Sequence, residues 1–472
     1  MTDHVRPTIA VLTDEQIAQV HRYSLRILSE VGVRVDSERA RHVLARSGGA
    51  SFAGPERVRL DPELVEWSIE RAPATVDIYN RRGELAFRLG EDRTRFGIGV
   101  TSLYYQDPLT DEVIPFARRH MRDMVRLGQA LPLYDVISTI GIIQDVPTRV
   151  ADLYAVLEMV ANAVKPLVIL ISEERAFPQA LDLLEHLCGD LATQPFVIPY
   201  FNPVTPLIIN QGTGDKVLEA AARGLPLIYS SYSMAGASAP ITPAGMLALL
   251  NAELLAGLAL CQLAREGTPV ILGILPNYFD MRTMVSFYDP PSMVLNLACA
   301  EMMAHYGLPH CGTSGSGTGW GPDLLAAGTY WMNQLTSCLG KVGLCPFIGD
   351  TLNSKAFAPA NVVYVHEIIE QALRFAEGFP LDDEAVALDE IGRLGPGGNY
   401  LASPQTLRLF RRAYLESAVF PRWTMERWLA EGRPRADVLL RRHTADLLEA
   451  LTAPEDHDDL IERGEAWIMA HA

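Results

Sequence analysis

The sequence predicts an α/β protein built on a (β/α)8 TIM barrel, with an N-terminal helical and hairpin unit and a helical C-terminal extension. Three observations carry this prediction. Residues 94–378 contain eight strand candidates, each short and apolar, as parallel strands buried on both faces are. A helix-length segment follows every one of them. No dinucleotide-binding glycine fingerprint marks the open doubly wound sheet, which is the alternative for the same alternation.

The chain has 472 residues, enough for one large barrel with additions at both ends. Residues 1–93 form the N-terminal unit. Thr13-Asp14-Glu15-Gln16 reads as a capping box, opening a helix that runs to about Val31 with Ile17, Val20, Leu25 and Leu28 at helical spacing. A second helix spans 37–46 and ends at Gly48-Gly49. A third opens at Asp61-Pro62, a cap followed by proline in the first turn. Segments 75–80 and 84–88 flank Arg81-Arg82-Gly83 as a hairpin. The barrel strands are expected at 95–99, 135–141, 166–171, 196–201, 226–230, 269–274, 308–313 and 342–347. Helices are expected at 118–131, 149–163, 176–188, 212–223, 243–265, 290–305, 323–339 and 361–377. Residues 379–472 form the C-terminal extension, with a turn at Gly395-Pro396-Gly397-Gly398.

The net charge of −17 argues against a nucleic-acid or anionic-membrane partner and suits a cationic ligand. Lysine occurs only at 165, 216, 341 and 355, which leaves few candidates for Schiff-base chemistry. The six cysteines form no CxxC pair and read as buried thiols of a reducing, cytoplasmic compartment. The N-terminus lacks the apolar core of a signal peptide. The apolar run 243–264 carries Asn251, Glu253 and Gln262 and reads as a core helix rather than a membrane span.

In such a barrel the site lies where strands feed into helices. Six of the eight strand ends carry an aromatic ring, and Tyr104, Tyr105, Tyr232, Tyr278, Trp320 and Phe347 are the candidates for a cage. A quaternary ammonium cannot donate a hydrogen bond, so aromatic faces are what holds it. The run from Cys311 to Gly321 holds five glycines between Gly312 and Gly321, with serines but no Lys, Arg or carboxylate. Such a loop lets a ligand approach the backbone closely. Zinc bound by His310, Cys311, Cys338 and Cys345 is a weaker reading, because neighbouring strand residues point to opposite faces. No GxSxG elbow or Walker lysine is present.

Three segments resemble the trimethylamine methyltransferase superfamily, which includes pyrrolysine-free glycine betaine methyltransferases. They are the opening helix from Leu12 to Val33, the run from Met234 to Gly245 with Asn251-Ala252-Glu253 after it, and Gly395-Pro396-Gly397-Gly398-Asn399-Tyr400-Leu401. Asp280-Met281-Arg282-Thr283 and Tyr306-Gly307-Leu308-Pro309 match as well. The resemblance implies a barrel that moves a methyl group from a methylated amine to the Co(I) corrinoid (cobalamin) of a separate corrinoid-binding protein. No protein nucleophile and no tightly bound metal are then expected. Asn202, Ser314 and Ser316 would bind the polar end of the substrate, and Asp280 would add negative potential. Gly315, Gly317, Gly397 and Gly398 would allow the corrinoid to approach. Trimethylamine-using members place pyrrolysine near the loop after the seventh strand, where this chain has only standard residues. A quaternary amine such as glycine betaine is therefore expected instead. The alternatives are a non-enzymatic binder of quaternary amines and a zinc-assisted methyltransferase. Self-association is left open by the sequence.

Overall fold

A computed structural model describes residues 4–91, 93–313, 315 and 317–471. Its centre is a curled sheet of eight strands: β1 (Arg95–Ile98), β2 (Val136–Ser138), β3 (Leu167–Ile169), β4 (Val197–Phe201), β5 (Leu227–Ala235), β6 (Val270–Asp280), β7 (Val285–Phe287) and β8 (Leu344–Ile348). The order is β7-β6-β5-β4-β3-β2-β1-β8. Every pairing is parallel except that of β7 with β6. Between the parallel strands run the helices α1 (Arg118–Ala130), α2 (Thr148–Asn162), α3 (Ala176–Cys188), α4 (Gln211–Ala222), α5 (Pro243–Ala264), α6 (Pro290–Tyr306) and α7 (Leu324–Leu339), and α8 (Pro359–Glu377) follows β8.

The seventh predicted strand is reduced to two isolated bridges at His310 and Cys311. The Cys311 N–H donates to the Leu272 carbonyl at 2.9 Å, and the Leu344 N–H donates to the His310 carbonyl at 2.9 Å. This segment thus bonds to β6 on one side and β8 on the other. Gly273 and Gly343 make that approach feasible. A Cβ at Gly273 would fall on the Cys311 carbonyl, and one at Gly343 would lie 2.7 Å from the His310 oxygen.

Side chains alternate across these strands with a period of two, so each contributes inward residues in layers. Val136, Val168, Ile198, Ile228, Ile271 and Leu344 form one interior layer. The hairpin Val76–Tyr79 and Leu85–Leu89 adds Val76, Ile78, Phe87 and Leu89 to the same cluster. Its backbone meets the chain just before β3 and β4, with Arg81 N–H on the Val164 carbonyl and Tyr79 N–H on the Pro195 carbonyl, both at 2.9 Å. The hairpin therefore stoppers the N-terminal end of the sheet and leaves the other end for a site.

The capping box is present: Gln16 N–H donates to Thr13 Oγ1 and Thr13 N–H to Gln16 Oε1. The helix Asp14–Arg26 continues into a wider turn over Ile27–Val31 and packs on α5 together with the helix Pro62–Arg71. That double cover explains why α5 is apolar all round. It is long and apolar enough to cross a membrane, yet 89% of its most apolar window is buried.

A small sheet of Val33–Val35, Ala50–Phe52, Arg57–Leu60 and Ile208–Ile209 was not expected from the sequence. Its strands of two to four residues are too short to display alternation, and Ile208–Ile209 arrives from a distant part of the chain. In the C-terminal region, Ala436–Glu449 docks on α8 and His457–His471 on α2 and α3. Between them and α8 lies an arm whose helices Leu388–Leu394, Pro404–Ala413 and Met425–Ala430 contain no buried residue.

Candidate functional site

At the C-terminal end of the curled sheet lies a cavity of about 580 Å³. Its floor is apolar and aromatic, made by Val100, Leu170, Leu275, Tyr200 and Phe347. The Tyr200 and Phe347 rings meet edge to face, with centroids 5.0 Å apart and planes at 88°. Strand alternation puts Tyr200 and Asn202 on one face of β4 and its continuation. The Asn202 amide donates to the Ser230 carbonyl at 2.7 Å, which fixes the side chain at the cavity wall.

Three walls rise from this floor. On the first, β5 and β6 stay paired as far as Ala235 and Tyr278, well past the rest of the sheet, and present Tyr232, Met234 and Asn277. β7 folds back along β6 and adds Ser286.

The second wall is the stretch Pro203 to Thr205, anchored from behind by Glu253 of α5. The Glu253 carboxylate accepts from Thr205 Oγ1 at 2.9 Å, from Leu207 N–H at 2.6 Å and from the Ser231 hydroxyl. Burial raises its pKa above the usual range, against these bonds.

Thr313, Asn353 and Ser354 make the third wall. Leu352, Asn353 and Ser354 all have positive φ, at 55°, 57° and 62°. Hydrogen bonds tie this turn to the glycine loop: Asn353 N–H to the Gly317 carbonyl at 2.9 Å, and Leu352 N–H and Thr351 Oγ1 to the Gly319 carbonyl, both at 3.0 Å. Behind it, Asp350 is fully buried and accepts from Ser354 Oγ at 2.5 Å. Burial pushes its carboxyl up to about 7.

Among the described residues, no charged side chain lines the cavity. The lining fits a ligand held by aromatic faces at one end and by neutral amides and hydroxyls at the other.

The structure brings Asn202, Tyr232 and Phe347 together at the cavity. The other predicted site residues that the structure describes lie elsewhere. Tyr105 is buried and stacks on His120 at 4.4 Å, while Tyr104 is exposed. Tyr278 sits beside Phe287, 6.0 Å between centroids. Asp280 closes the turn between β6 and β7, accepting from Arg282 N–H and Thr283 Oγ1 at 2.8 Å. Trp320 is 72% exposed, and its carbonyl accepts from Gln106 Nε2 at 2.8 Å. Ser314 and Ser316 lie outside the described residues. Gly315 and Gly317 have φ of 82° and 77°, and their Cβ positions face protein: Asn333 Cβ at 3.1 Å and Ser354 N at 2.6 Å. Gly397 and Gly398 belong to the exposed arm, where Gly398 packs on the Leu394 carbonyl.

Sequence reasoning missed Tyr200, Leu170, Thr205, Asn277, Asn353 and Ser354 as lining residues. Two of these had a signal. If Asn202 faces inward, Tyr200 two residues earlier does so too, and Asn277 follows Leu275 in the same way. The cysteines read as buried thiols are free, with Cys261, Cys299, Cys311 and Cys345 buried. Burial pushes Cys338 and Cys345 up to about 12 and holds the His310 ring neutral with a pKa of about 3. Among the described residues, no three His, Cys, Asp or Glu side chains are grouped so as to hold a metal ion.

The fold is shared with methylamine methyltransferases. The crystal structure of the Methanosarcina barkeri monomethylamine methyltransferase (MtmB) matches with a TM-score of 0.53 over 98% of this chain and 88% of that one, at 9% identity. A hydroxylamine complex of MtmB matches with the same score over 94% and 89%. The family model "Trimethylamine methyltransferase (MTTB)" spans residues 2–470, and the chain belongs to that family. It is 26% identical to a trimethylamine methyltransferase MttB of Desulfitobacterium hafniense (strain DSM 10664 / DCB-2), over 90% of this chain and 86% of the relative. It is also 26% identical to a glycine betaine methyltransferase of Desulfitobacterium hafniense (strain Y51), over 90% and 89%. A Methanosarcina barkeri (strain Fusaro / DSM 804) trimethylamine methyltransferase MttB is 23% identical over 96% of both chains.

Proposed function

We propose that this protein is a methyltransferase that takes a methyl group from a quaternary amine, the class to which glycine betaine belongs, and passes it to the Co(I) corrinoid of a partner protein. The observation that carries the reading is the cavity floor, where Tyr200 and Phe347 offer aromatic faces and edges in an apolar setting with no cation beside them. A quaternary nitrogen is stabilised there by roughly 0.5–2 kcal/mol per aromatic contact. The sheet closes around this floor as a (β/α)8 barrel through the hydrogen bonds that His310 and Cys311 make to both neighbours.

The chemistry needs little from the chain beyond position. Co(I) supplies the electron pair that accepts the methyl group. The C–N bond breaks with its electrons remaining on nitrogen, which leaves as a neutral tertiary amine, so no proton and no protein nucleophile is required. The chain's part is to hold the N–CH3 bond in a dry pocket and aim it at the open end. Exposed Trp320, Ile241, Met281 and Met284, all on loops beyond the strand ends, give that end an apolar rim suited to a docking partner. Gly317 serves this rim by letting its backbone lie close against the Leu352–Ser354 turn.

We further propose that a second copy of the chain covers the arm. Its helices of seven and ten residues are too short to persist in water unsupported, yet Leu388, Leu401 and Leu407 are exposed. A permanent partner is needed, which a shuttling corrinoid protein is not. Acidic Asp383 and basic Arg411 and Arg412 on the same arm suit a two-fold contact. Sedimentation should give a dimer or larger assembly, and Leu407→Glu should shift it toward monomer; a wild-type monomer at micromolar concentration overturns this part.

For the activity, the purified protein is mixed with N-methylated amines and free Co(I) cobalamin under a reductant, and methylcobalamin is followed by absorbance. Methyl transfer from at least one quaternary amine is expected. Binding by calorimetry without methyl transfer from any amine would instead make the protein a non-enzymatic binder.

A further inference from the structure

A quaternary nitrogen accounts for the aromatic floor of the cavity but not for what stands above it. A volume of about 580 Å³ lies within the range of sites that enclose whole small molecules. The upper part presents the side-chain amides of Asn202, Asn277 and Asn353 and the hydroxyls of Ser238 and Ser286. These are neutral donors and acceptors placed for a polar tail.

Nothing among the described lining residues would balance a negative tail, since none is Arg, Lys or His. What stands behind the lining is acidic. Thr205 Oγ1 rests on the Glu253 carboxyl at 2.9 Å, and Ser354 Oγ on the Asp350 carboxyl at 2.5 Å. Ionised, these groups repel a carboxylate; protonated, they still offer it no positive charge. Taking a carboxylate from water into such a place without a cation is costly. A hydroxyl, ester or amide exchanges its water for Asn and Ser partners at little net cost.

We infer that the cavity selects a quaternary amine with a net positive charge, whose tail carries uncharged hydrogen-bonding groups, over one whose tail ends in a carboxylate. The inference rests on the reading of the cavity as a quaternary-amine site and specifies the other end of its ligand.

Calorimetric titration of the full-length protein with choline, acetylcholine, glycine betaine and tetramethylammonium tests it. Choline or acetylcholine should bind at least about tenfold more tightly than glycine betaine, and severalfold more tightly than tetramethylammonium. Asn277→Leu should bring the better of the two to within about twofold of tetramethylammonium, with circular dichroism and a thermal melt reporting that the variant is folded. Glycine betaine binding as tightly as choline or more so overturns the inference and leaves the quaternary-amine site standing. If none of the four binds, the quaternary-amine reading itself falls. The methylcobalamin assay gives an independent readout, with the same order of preference expected in kcat/KM.

Discussion

Replacing Asp350 with asparagine should make the protein more stable above neutral pH and leave it nearly unchanged in acid. The Asp350 side chain is fully buried behind the cavity wall. Its Oδ2 accepts from Ser354 Oγ, the Gly317 backbone adds a second donor, and Oδ1 meets no partner among the described residues. Tyr330 and Asn361 crowd the same residue but spend their hydrogen bonds on its carbonyl. Burial outweighs these donors and the residue's own backbone N–H, and raises the carboxyl from 3.8 to about 7. Between those values the folded chain binds more protons than the unfolded chain. Stability is therefore fully present below pH 4 and is lost as pH rises toward 7 and above. At about 1.4 kcal/mol per tenfold in acidity, that gap is about 4 kcal/mol. Asparagine has the same shape and no charge to lose. Urea melts of both proteins at pH 4.5 and 8.5 measure the effect as a difference of differences, so other titrating groups cancel. The gap between variant and wild type should move in favour of the variant by about 2–4 kcal/mol from the lower pH to the higher. A gap that stays constant to within about 0.5 kcal/mol, or a variant that weakens as pH rises, would refute the reasoning.

Three further outcomes follow from the geometry. Phe347→Ala removes one face of the cavity floor and should weaken quaternary-amine binding by roughly 3- to 30-fold in calorimetry, in line with the loss of one cation–π contact. Glu253→Ala strips the acceptor from Thr205, Ser231 and the Leu207 N–H, and should cost about 3 kcal/mol in a denaturant melt. In acid, His310, His120 and His366 are held neutral by burial, with pKa values of about 3, 4 and 4. Their folded values lie below the unfolded one, so their contribution is present above about pH 6.5 and is lost as pH falls toward 4. His310→Gln should flatten the acid limb of the stability profile, and an unchanged limb would count against this assignment.

Much of the fold was legible because its elements are long or repeat a simple pattern. The apolar runs that became β3, β4, β5 and β8 need no alternation to be seen, since both of their faces are covered. The box at Thr13 and Gln16 is a local signal with a local cause. What escaped detection depends on distant partners. Val33–Val35 becomes a strand only because Ile208 and Ile209 arrive beside it. At the site, an aromatic at a strand end does not declare which way its ring turns. Tyr105 turns toward His120, and Trp320 toward solvent, while Tyr200, one of the two rings of the floor, sits two residues before the asparagine that was chosen. The buried carboxyls were hidden for another reason: Glu253 acts through Thr205, 48 residues away in the chain, and Asp350 acts through Ser354 across a turn of positive-φ residues that no periodic pattern announces.

The hairpin that fills the N-terminal end of the sheet has a kinetic consequence. With Val76, Ile78, Phe87 and Leu89 sealing that end, a molecule in the cavity and a macromolecule over its rim share one doorway. Under the proposed function, amine and methyl acceptor then cannot bind in random order. The amine must enter first, the demethylated amine must wait until the acceptor has left, and an acceptor that arrives early shuts the substrate out. High acceptor concentrations should slow turnover at low amine and cease to do so as the amine saturates.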